Sequence, residues 1–148
     1  MKKLLLAGAL FLSINSFSQD YTVNHESPTS VVKAIFHAAE TGEHEILGTL
    51  CDPLAKGDSD VKNICSMGFG FSDADKKKLE EKGSSVEEVK GEFKEVFGKG
   101  EIIGNTVFET RDTGNYAKVE FYFYPNGEKR KETMNLVQRG NNWYLSSF

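Results

Sequence analysis

Three histidines, two cysteines and two short aspartate pairs are the residues of this chain with the most scope for chemistry. A His or Asp in an apolar hollow can serve as a general base once its pKa is tuned toward neutrality. His25 lies ahead of the first helical pattern, His37 falls off that helix's apolar stripe, and His44 opens the next segment. Each therefore reads as a solvated side chain. Gly42 interrupts the helix between His37 and His44, and no acid or Cys stands at ligand spacing, so a shared metal is not expected. Asp58-Ser59-Asp60 and Asp73-Ala74-Asp75 invite a calcium reading, but neither continues with the Gly and Glu of an EF-hand loop. They read as an Asp-rich turn and as a helix N-terminus that favours acids. Ser146-Ser147 has no nucleophile elbow around it. No catalytic residue, metal or cofactor is expected.

Cys51 and Cys65 lack the C-x-x-C spacing of a thiol-redox pair. An even pair in an oxidising compartment points to a disulfide, closing a loop of about 15 residues worth about 3 kcal/mol. Two reduced, buried thiols are the alternative. The N-terminus supports export: Lys2-Lys3 precedes an apolar run from Leu4 to Ile14, and Asn15-Ser16-Phe17-Ser18 follows. This is the order of a secretory signal, cut near Ser18-Gln19. The expectation is a signal peptide over 1–18 and one domain over 19–148, periplasmic or secreted. The apolar run is too short to span a bilayer. The formal charge is −4, and −6 without Lys2 and Lys3, which gives no electrostatic reason to bind nucleic acid.

The elements that must position these residues fall into two halves. Ser27-Pro28 opens a helix with Val31, Val32, Ile35, Phe36 and Ala39 on one stripe, and Gly42 ends it. A short helix follows from Glu43 to Cys51, stopped by Asp52-Pro53. A stretch near Val61–Met67 bears Cys65. A charged helix with Leu79 as its only apolar residue starts after Ser72. Ser85-Val86-Glu87-Glu88 is a capping box for a helix carrying Val86, Val89, Phe93, Val96 and Phe97 on one face. From Glu101 the period becomes two. Strands are expected over 102–111, 116–124, 128–139 and 143–148, with Asn126-Gly127 as a turn of positive φ. Helices followed by an antiparallel meander make an α+β domain.

These residues resemble a family. Ser27-Pro28, Val31-Val32, Ile35-Phe36, Ala38 and Gly42, then Leu47 and Leu50, look like the start of small exported domains of the NTF2-like (cystatin-like) superfamily, DUF4878 type. Gly114-Asn115-Tyr116-Ala117-Lys118-Val119 and Leu136-Val137-x-Arg139-x-Asn141-x-Trp143-Tyr144-Leu145 resemble that family's later strands. The charged stretch at about 58–82 departs from it as an insertion. The resemblance implies a strongly curved antiparallel sheet, a cone, wrapped round the long first helix, often dimeric through the outer sheet face.

On this basis the chain is expected to be a non-enzymatic exported domain that binds a protein partner or a small apolar ligand. Phe36, Phe93, Phe121 and Phe123 would line the cone. Tyr116, Tyr122 and Tyr124 would offer an outer contact face for a homodimer, because Tyr joins apolar area to a polar tip. The alternative is a small isomerase or lyase with His37 or an Asp as base in the cone.

Overall fold

The computed structural model describes residues 21–54 and 59–147. The signal peptide expected over 1–18, Asp58 and Phe148 lie outside these residues. Helix α1 (Pro28–Thr41) is followed by a 3-10 turn at His44–Thr49, helix α2 (Ser59–Ser66), a 3-10 turn at Met67–Phe69, and helices α3 (Asp73–Glu81) and α4 (Val86–Phe97). Four strands complete the chain: β1 (Glu101–Arg111), β2 (Gly114–Phe123), β3 (Arg130–Arg139) and β4 (Asn142–Ser147). They pair antiparallel in the order β1-β2-β3-β4. The domain is α+β, as the two halves of the sequence require. Among the described residues, no helix is long and apolar enough to cross a membrane.

Alternation decides which side of the sheet is buried. Ala117, Val119 and Phe121 of β2 sit beside Leu136 and Met134 of β3 and Leu145 of β4, all at most 1 % exposed. Against them lies the stripe of α1, with Val31, Val32, Ala34, Ile35 and Ala38 fully buried. Pro28 starts this helix, and Gly42, at φ 82, stops it. Ser27 flanks it without capping it, because its hydroxyl is paired with that of Thr29 at 2.8 Å.

The strong curvature expected from the family resemblance needs correcting. The sheet is not strongly curled. Register shifts fall only between Ile103 and Val107, where Gly104 takes φ 65, and between Asn135 and Leu136. Bulges bend one strand pair locally.

The lead-in before α1 is built into the fold. His25 accepts the Trp143 N–H at its carbonyl (2.7 Å) and its Nδ1 pairs with the Trp143 carbonyl (2.9 Å). Further along β4, Leu145 N–H donates to Leu50 O, and Asp52 N–H donates to Leu145 O. Two separate segments thus cover the outer edge of β4, which would otherwise offer its backbone to another chain.

Candidate functional site

The disulfide fixes the region that matters. Cys51 and Cys65 are bonded, with Cα atoms 6.2 Å apart, and tie α2 to the end of the first 3-10 turn. Next to α2, the turn at Met67–Phe69 lies against the turn at His44–Thr49. Gly68 makes that approach possible, since a Cβ there would overlap the backbone of Gly48 and Leu47.

Helix α4 supplies the opposite wall. Its capping box is formed, with Ser85 Oγ accepting from Glu88 N–H and the Glu88 carboxylate accepting from Ser85 N–H. Val89, Phe93, Val96 and Phe97 then recur at helical spacing on one face. Between this face and α2 runs an apolar groove of about 470 Å³, closed by Met67, Phe71 and Leu79. Leu79 belongs to α3, a helix with no buried residue. That helix is flanked by Gly70 at φ 79 and Gly83 at φ 74.

A second hollow of about 500 Å³ adjoins the first and shares Met67 and Phe71 with it. Its lining is polar, with His44, Glu45, Lys76 and Lys90. His44 is only 8 % exposed, which corrects the expectation of a solvated side chain. Its ring meets Phe93 edge-on at 5.8 Å. Its Nε2 is the one buried side-chain nitrogen or oxygen among the described residues without a hydrogen-bond partner. Burial first, and Lys90 second, hold the imidazole below its ordinary pKa against the opposing pull of Glu45.

The four phenylalanines expected to line a cone do something else. Phe121 contacts Phe36 at 5.8 Å and Phe123 at 5.5 Å, Phe123 stacks on Phe97 at 5.8 Å, and Phe97 meets Phe93 at 5.2 Å. Phe36 and Phe121 are core residues and Phe123 is half-buried, leaving Phe93 alone of the four on the groove. Sequence reading missed Phe71, Leu79 and His44 as neighbours; only the Phe93–Phe97 face was legible.

The tyrosines do not form one face. Tyr116 and Tyr122 stand on the outer side, the first under Arg111 (4.6 Å) and the second under Lys129 (4.1 Å). Between them lie Lys118 and Glu120, the latter paired with Lys131 at 3.3 Å. Tyr124 has left the strand, and its N–H donates to Val96 O at the end of α4.

Other titratable side chains are engaged elsewhere. His37 stacks on Tyr21 at 3.9 Å, and its Nε2 lies 3.2 Å from Glu43 Oε2. Asp52 is held by Arg139. Asp75 belongs to the capping box of α3. Among the described residues, no three His, Cys, Asp or Glu side chains gather as a metal-binding group. No protein-family model, curated protein or solved structure matches this chain.

Proposed function

We propose that this chain is an exported, non-catalytic domain that binds a small apolar ligand in the groove between α2 and α4. The groove itself carries the reading: an open hollow of about 470 Å³ walled by Ile64, Met67, Phe71, Leu79, Val89 and Phe93. Ligand sites are concave and mostly apolar, with few polar groups at one end. The disulfide supports residence in an oxidising compartment. The helix-then-meander order and the quoted residue pattern support an NTF2-like build, while the shallow sheet counts against a cone. The outer face lends a homodimer little support, because charged residues separate Tyr116 from Tyr122.

Nile red, an uncharged apolar fluorophore, tests the reading. Saturable one-to-one enhancement of its emission is expected, and Val89→Asp should abolish it while leaving the fold intact by circular dichroism. Absence of saturable binding, or binding indifferent to Val89→Asp, would sink the proposal.

A second reading, a small isomerase or lyase, rests on His44 rather than on His37 or an Asp. The observation behind it is a buried imidazole, held neutral, on the same hollow as Lys90. Exchange of α-protons of a ketone into deuterium oxide, lost in His44→Leu, would support it; exchange no faster than in buffer would remove it.

A further inference from the structure

Helix α3 is joined to the domain by little besides its two ends. It buries no residue and makes no extensive contact with any other element. Among the described residues, every hydrogen bond and ion pair of residues 71–82 stays local. Ser72 Oγ accepts the Asp75 N–H, and the Asp75 carboxylate accepts from the Ser72 N–H and hydroxyl. Lys76 lies 3.8 Å from Asp73. The last turn closes on Leu79 and Glu80, whose carbonyls accept from Lys82, Gly83 and Ser84. Moving this segment as a body therefore breaks no polar contact, and its capping box travels with it.

What ties the segment to the domain is apolar. Phe71, just ahead of α3, and Leu79, within it, both line the groove, and both are only half-buried. Further hollows of about 350 and 500 Å³ border the same segment, the first lined by Asn63 and Lys78, the second by Lys76 and Glu45. The segment thus has room to shift. Its ends are where the backbone can turn. Gly70 takes φ 79 with ψ 176, a combination essentially confined to glycine, and Gly83 takes φ 74. A Cβ at either position would meet nothing within 4 Å, so neither end is wedged.

We propose that residues 71–82 are a lid, hinged at Gly70 and Gly83, that stands ajar in the free protein and closes on an apolar ligand in the groove. Closure buries Phe71 and Leu79 against the ligand, and that burial drives it. This rests on the apolar-ligand reading above and adds how the site holds its occupant. A fixed wall is the alternative.

Hydrogen exchange with and without Nile red tests it. A helix of nine residues is marginal without support, so α3 amides should exchange far faster than those of α4 in the free protein. Dye held under a closed lid should slow α3 exchange about tenfold when free dye is about ten times its dissociation constant. Leu79→Ala, which removes the lid's grip, should speed dye release and abolish that slowing. In Val89→Asp, which takes up no dye, Nile red should leave α3 exchange unchanged. Saturable dye binding without any slowing in α3 would overturn the lid and leave the groove reading standing. So would α3 exchange as slow as that of α4 before dye is added, or slowing that persists in Leu79→Ala or in Val89→Asp. Failure of Nile red to bind at all would overturn the groove reading and the lid with it.

Discussion

Asp52 and Arg139 meet in a two-pronged ion pair, with Arg139 Nε 3.0 Å from Oδ1 and Nη2 2.8 Å from Oδ2. They are 87 residues apart in sequence. Asp52 is 8 % exposed and also accepts the Leu54 N–H, so its carboxylate is satisfied on several sides. The pair fastens the segment after the first 3-10 turn to the end of β3, beside the disulfide.

The guanidinium of Arg139 holds the Asp52 carboxyl below its ordinary value of 3.8, against the opposing effect of burial. A lowered carboxyl pKa adds stability above the unfolded value, and that stability is lost as pH falls through the folded one. Arg139→Met should cost about 2 kcal/mol at neutral pH, since it strands a buried carboxylate. The deficit should shrink as pH falls below the ordinary value of 3.8 and through the lowered one, where the carboxylate of the paired protein also takes up its proton. Urea unfolding across that pH range checks both statements.

His44 titrates in a higher window. Its folded pKa lies below the ordinary 6.5, so the unfolded chain takes up a proton more readily. Stability is then complete above that value and declines as pH falls from about 6.5 toward the lowered one. Lys90 deepens this decline and Glu45 opposes it. His44→Leu should flatten the upper part of the acid profile and leave the Asp52-linked loss in place. It should also gain about 1 kcal/mol at pH 7, because an unsatisfied buried nitrogen is removed. A profile unchanged above pH about 5 would contradict the burial of this ring.

Reducing the Cys51–Cys65 bond should lower stability by about 3 kcal/mol, chiefly by freeing the unfolded chain. The loss should come with weaker Nile red binding, because α2 forms one wall of the groove. Denaturation midpoints with and without dithiothreitol, followed by Trp143 emission, provide the comparison.

Gly68→Ala should destabilise by about 1–3 kcal/mol, the usual cost of forcing atoms into a packed contact. The backbone of Gly48 and Leu47 leaves no room for the methyl group. Gly91→Ala, on the exposed side of α4 with open space around it, should instead be neutral or stabilising. Thermal melting of the two variants separates a steric effect from helix propensity.

Two capping boxes of similar geometry should differ in consequence. Ser85→Ala loosens α4, whose Phe93 and Phe97 are in the core, and should cost about 1 kcal/mol globally. Ser72→Ala acts on α3, which buries nothing, so it should speed amide exchange there and leave global unfolding unchanged.

The sequence by itself determined the elements. Local signals suffice where neighbours along the chain decide the outcome: Pro28 and Gly42 bracket α1, Ser72 and Ser85 cap their helices, and Asn126-Gly127 takes positive φ at its turn. Alternation along Tyr116–Phe123 likewise revealed the buried face of β2, because pleating is a local property. The site is another matter. Its walls come from segments near His44, Met67, Leu79 and Phe93, and no periodicity links them. Reading His44 as solvated was reasonable from a polar stretch, yet the turn at Met67–Phe69 and the face of α4 close over it. Asp52 and Arg139, or His25 and Trp143, become partners only once the strands have ordered their ends. Burial, charge pairing and the shape of a hollow depend on through-space distances between residues far apart in sequence, and only tertiary packing sets those distances.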